Sequence, residues 1–91
     1  MKIEWMRPAV RDLRGLRAYI AERNPRAAEE VALKMLDGVD LLATFPASGR
    51  PGRKPYTREW VVPQTPYFIV YRVQDEVVEI LRIIHGAQRW P

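Results

Sequence analysis

Between Arg58 and Trp90 three β-type runs are separated by two turn sequences, and this pattern restricts the fold more than any other feature. Arg58 to Val62, Tyr67 to Val73 and the run from Val77 are rich in β-branched and aromatic residues. Pro63-Gln64-Thr65-Pro66 and Gln74-Asp75-Glu76 supply the reversals. An antiparallel meander follows, with Lys2 to Met6 expected as a further strand. Such a small sheet needs a cover for one face.

Two helical segments upstream provide that cover. Pro8 suits a first helical turn, and Val10, Leu13, Leu16 and Ile20 recur at three- and four-residue spacing. Arg7, Arg11 and Arg14 lie on another face, and Gly15 weakens the helix by about 1 kcal/mol. Asn24-Pro25 reads as an N-cap followed by N1. The second helix places Ala28, Val31, Ala32, Met35, Val39, Leu42 and Phe45 on one side. With only Arg23-Asn24-Pro25 between them, the helices form an antiparallel hairpin. Pro46 to Tyr56, broken by Pro46, Gly49, Pro51, Gly52 and Pro55, reads as a mobile loop made basic by Arg50, Arg53 and Lys54. The fold class is α+β, a helical hairpin on one face of a small, mainly antiparallel sheet.

The alternation of Tyr67, Ile69, Tyr71 and Val73 against Phe68, Val70 and Arg72 decides which sheet face is covered. Burying an unpaired arginine is costly, so the tyrosine side is expected against the helices. Pairing Val73 with Val78 sets Arg72 opposite Glu79. That register sends Val78, Ile80 and Ile84 inward and leaves Glu79, Leu81, Ile83 and His85 on an open face near Phe68. Arg82 then needs a helix carboxylate such as Asp12 or Glu22. A slip that pairs Val73 with Val77 reverses these assignments.

At 91 residues the chain is expected to be a single domain over 1–91. It has no cysteine and one histidine, which excludes disulfides and thiolate or multi-histidine metal sites; no metal or other cofactor is expected. Nothing reads as a signal peptide or membrane span, so a cytoplasmic protein without membrane contact is the expectation. A net charge of +4 favours polyanions or an acidic protein as partners.

The order of these marks resembles the RelE/ParE family of bacterial toxins. The resemblance rests on Leu42-Ala-Thr-Phe-Pro with Gly49-Arg50 after it, Arg58 at a strand start, Pro66-Tyr-Phe-Ile-Val-Tyr-Arg-Val, and Val78-Glu-Ile-Leu-Arg-Ile-Ile-His-Gly-Ala-Gln-Arg. It implies the stable toxin of a type II toxin–antitoxin pair, neutralised by a cognate antitoxin. Its target would be DNA gyrase, as in ParE-like members, or the translating ribosome with its mRNA, as in RelE-like endonucleases. The tyrosine-rich strand and the Arg82-Ile-Ile-His-Gly-Ala ending are closer to the ParE-like branch.

If the chain cuts RNA, the resemblance assigns His85 and Arg89 as catalytic. Otherwise His85 is a strand-end histidine bonded to the tail backbone. Target or nucleic-acid contact is expected from Arg50, Arg53, Lys54, Arg58, Phe68, Arg72, Arg82 and Trp90, against structural alternatives. In those alternatives Trp90 caps the core, Arg58 pairs with an acid and Arg72 pairs with Glu79. Phe68 stands where YoeB-like nucleases carry an arginine. Antitoxin contact is expected at Arg11, Arg14 and Arg17. A non-toxic nucleic-acid-binding adaptor is the alternative from another class.

Overall fold

The computed structural model describes residues 1–91. Its elements run β1 (Lys2–Trp5), α1 (Arg7–Ala21), α2 (Pro25–Thr44), β2 (Arg50–Pro51), β3 (Arg58–Val61), β4 (Tyr67–Gln74) and β5 (Val77–His85). They build one five-stranded sheet in the order β1-β5-β4-β3-β2, with both helices on one face. Neighbours are antiparallel except β1, which pairs parallel to β5.

Local chemistry sets the boundaries. Asn24 caps α2 by accepting from the Ala27 N–H at 3.1 Å, and Pro25 follows it in the first turn. α2 stops at Thr44, and Phe45 leaves the helical conformation with its ring exposed. Phe45 is therefore outside the buried stripe that its spacing suggested. Asp75 and Glu76 both have positive φ, at 52° and 60°, in the two-residue turn that joins β4 to β5.

α1 buries Ala9 and Leu16, flanked by the half-buried Leu13 and Ile20, and Ala9 takes the place expected for Val10. α2 adds Met35, Val39 and Leu42, while the sheet contributes Ile69, Tyr71, Val78, Ile80 and Ile83. Gly38 lets α2 approach the sheet closely, since a Cβ there would lie 2.7 Å from the Trp60 ring. The tyrosine side of β4 thus faces the helices as expected.

The register departs from expectation at one point. Val73 pairs with Val78 and Arg72 with Glu79, as read from the sequence. An irregularity between Val70 and Tyr71 then sets Tyr71 opposite Ile80 but Val70 opposite Arg82, leaving Leu81 unpaired. This β-bulge shifts every later residue of β5 by one. Ile83 and His85 therefore sit on the helix side, and Ile84 joins Phe68 and Val70 on the other face.

That second face is not bare. Phe68, Val70 and Ile84 form a separate buried cluster, with Leu81 and Trp90 packed against it. The segment expected to be a free loop contains β2, which pairs with β3. It is tied down as well by Tyr71, whose hydroxyl donates to the Pro46 carbonyl and accepts from the Gly49 N–H, both at 2.8 Å.

Candidate functional site

Arginines and aromatic rings converge on the second sheet face, and most of the arginines are held by carboxylates. Glu59 points to that face beside Val70 and is 3% exposed. It accepts from Arg50 Nη2 at 3.1 Å and from the Arg53 N–H at 3.0 Å, with the Arg53 Nε at 3.8 Å. Desolvation pushes the Glu59 carboxyl up. The Arg53 N–H, the Arg50 hydrogen bond and the charges of both arginines outweigh this and hold it below its ordinary 4.5. Its stabilising contribution is thus complete above 4.5 and fades as pH falls through the lower folded value. Glu59→Gln is expected to lower stability by about 1–2 kcal/mol at neutral pH, a figure reduced because both arginines are half-exposed. In denaturant titrations across pH, the gap between the two proteins should close below the normal carboxylate range.

Arg53 also spreads over the Phe68 ring at 5.6 Å and donates through Nη1 to the Trp90 carbonyl at 3.0 Å. Lys54 lies 5.6 Å from the Trp90 ring centroid. Loop and tail therefore close over the sheet together, and Trp90 caps the Phe68 cluster. Its indole Nε1 is buried without a hydrogen-bond partner. Arg72 pairs with Glu79 on the neighbouring strand. Arg58 Nη1 donates to the Gly49 carbonyl at 2.7 Å, so it holds the backbone of the preceding segment and not an acidic side chain.

Arg82 reaches across to α1. Its Nε and Nη2 donate to Asp12 at 2.7 and 3.2 Å, and the Ile83 N–H donates to the same carboxylate at 2.8 Å. The reason lies in strand lengths. β1 ends at Trp5 opposite Ile80, so the outer edge of β5 beyond that point has no strand partner, and Asp12 supplies an acceptor there.

His85 is set apart from this constellation. Its ring meets Tyr67 edge-on, with centroids 5.3 Å apart, on the helix side of the sheet. Nδ1 accepts from the Ala87 N–H at 3.0 Å, which leaves the ring proton on Nε2. The His85 N–H donates to Gln88 Oε1 at 2.7 Å, and the tail turns where the Gly86 N–H meets the Pro66 carbonyl. Arg89 is exposed and forms no ion pair. On α1, Arg11 and Arg14 are exposed without a carboxylate partner, whereas Arg17 pairs with Glu29.

Sequence reasoning missed Glu59, the organiser of the basic loop. Its only signal was a lone acid in a strand beside a loop carrying Arg50 and Arg53.

Comparison with known proteins places this architecture. A family model described as the ParE toxin of type II toxin–antitoxin systems matches residues 3–90. The putative toxin Y4kP of Sinorhizobium fredii is 46% identical over 90 residues, covering 99% of this chain and 93% of that protein. Toxin RelE2 of Caulobacter vibrioides is 38% identical over 87 residues, covering 96% and 97%. A chain of the chromosomal ParDE system of P. aeruginosa superposes with a TM-score of 0.85 at 25% identity, covering 93% of this chain and 95% of that one.

Proposed function

Because this chain belongs to the ParE family of type II toxins, we propose that it arrests growth by binding DNA gyrase and not by cutting messenger RNA. It is the toxin of a type II toxin–antitoxin module, with a cognate antitoxin as partner.

One observation carries the gyrase reading: His85 is separated from the arginines of the second sheet face. A metal-free endonuclease needs a proton acceptor, a proton donor and free cations around one phosphate. Here His85 lies on the helix side with Nδ1 already bonded. Arg50 and Arg53 serve Glu59, Arg72 serves Glu79, and Arg82 serves Asp12. Phe68 lies beneath Trp90 and Arg53 instead of offering a charge. Side chains committed in this way suit a rigid binding surface better than phosphoryl chemistry. Lys54 and Trp90 lie on that surface as candidate target contacts, whereas Arg58 stands opposite Tyr71 on the helix side.

Neutralisation follows from the opposite side of the molecule. Arg14, Arg17, Ala18 and Ala21 of α1 and Glu29 of α2 line an open groove between the helices. Arg11 and Arg14, which have no carboxylate partner, offer positive charge to an acidic antitoxin segment, with Arg17 beside them paired to Glu29.

The test is a growth assay. His85→Ala and Arg89→Ala are each expected to remain as toxic as the parent when expressed alone, and co-expressed antitoxin should restore growth in every case. Harmless but folded His85→Ala protein would overturn the gyrase reading. It would favour the second one, a ribosome-dependent mRNA endonuclease, which the name of the RelE2 relative supports. The non-toxic adaptor has no observation in its favour.

A further inference from the structure

Between α1 and the end of β5 lies an open cleft of about 550 Å³ that gyrase binding does not require and that shares only Arg11 with the proposed antitoxin surface. Arg11, Gly15 and Tyr19 form its α1 wall, and Tyr67, His85 and Gln88 line the other side. The commitments of its polar groups define what it can accept.

Asp12 is the single carboxylate in the lining, and Arg82 and the Ile83 N–H occupy both its oxygens. His85 Nδ1 is taken by the Ala87 N–H, so Nε2–H is the group left to donate. Gln88 uses its oxygen on the His85 N–H, which frees the amide NH2. Burial, reinforced by nearby Tyr19, raises the Tyr67 phenol above its ordinary 10.0 and keeps it a protonated donor. Arg11 has no acidic partner. Every uncommitted group can donate, one carries a full positive charge, and no carboxylate remains free. Such a lining selects an anion.

Size and shape narrow the class. The space is larger than a lone carboxylate or phosphate fills, and Tyr19, 72% exposed, offers an aromatic face at the rim. A Cβ at Gly15 would meet nothing within 4 Å, so packing does not require this glycine. Its lack of a side chain instead keeps the α1 wall low where a ligand would lie. We propose that this cleft binds a nucleoside phosphate, the phosphate on Arg11, His85 Nε2–H and Tyr67, and the base stacked on Tyr19. The nucleotide is either free or the 5′ end of a single strand.

Titration of the full-length chain, followed by the NMR signals of the His85 and Tyr19 rings, tests the assignment. AMP at millimolar concentration should move both sets of signals, inorganic phosphate should bind about tenfold more weakly, and adenosine should leave His85 unmoved. Arg11→Gln should weaken AMP about tenfold, whereas Arg26→Gln, which removes an equal charge from α2, should leave it unchanged. Gly15→Leu should fill the cleft and abolish binding without loss of fold, with circular dichroism as the check. A 5′-phosphorylated oligonucleotide that binds more tightly than AMP assigns the site to a strand end, and weaker binding assigns it to the free nucleotide. Unmoved His85 and Tyr19 signals, equal losses in the two arginine variants, or AMP binding retained in Gly15→Leu would each overturn the proposal.

Discussion

Asp12→Ala is expected to destabilise the protein by about 3 kcal/mol, among the largest effects of any polar substitution in this chain. One carboxylate holds the middle of α1 against the sheet through Arg82 Nε, Arg82 Nη2 and the Ile83 N–H. Removing it strands a guanidinium and leaves a strand-edge N–H without its acceptor. The cost stays below that of a fully enclosed ion pair because Arg82 is one-third exposed and regains water. Denaturant unfolding measures the loss, and a double-mutant cycle with Arg82→Ala should give a coupling of about 1–2 kcal/mol. Additive effects of the two substitutions would mean that Asp12 acts on the Ile83 N–H alone.

Tyr71→Phe should cost about 2–4 kcal/mol while deleting a single oxygen. The ring is 0% exposed, and its hydroxyl is the partner of both the Gly49 N–H and the Pro46 carbonyl at 2.8 Å. Phenylalanine fills the same space but leaves two backbone groups unsatisfied at the start of the basic segment. Gly49→Ala attacks the same junction sterically, since its Cβ would lie 2.6 Å from the Tyr71 hydroxyl oxygen. For a domain of this size, each kcal/mol corresponds to roughly 4–8 °C in Tm. Calorimetry should therefore show a large drop for Tyr71→Phe, and a change within about 1 °C would contradict the assigned hydrogen bonds.

Much of this architecture was legible because local and long-range signals agree. Asn24-Pro25 marks a helix start by chemistry that acts within four residues, and the structure uses it as such. The Arg72–Glu79 pair favours the hairpin register that the structure adopts over the slip pairing Val73 with Val77, because only the former opposes those charges. Asp12 is one of the two helix carboxylates that the sequence offers to Arg82, and the structure uses it.

The bulge was not legible, and its effects spread furthest. Leu81-Arg-Ile-Ile has apolar residues at both parities, so no alternation records the skipped residue. One unpaired Leu81 moves His85 from the presumed open face to the helix side and exchanges Ile83 with Ile84. The covering of the second face is illegible in the sequence for another reason. Its lid is Trp90 and the loop carrying Arg53 and Lys54, brought together by Glu59 and by contacts across 37 residues. Proline and glycine spacing in that loop signals irregular backbone, and nothing in it announces the buried acid that fixes the path.

The most direct measurement is a supercoiling assay with purified gyrase and the purified chain. The parent and His85→Ala should inhibit supercoiling equally, and equimolar antitoxin should relieve both. Undisturbed gyrase, together with His85-dependent cleavage of mRNA on translating ribosomes, would contradict a toxin that acts by binding.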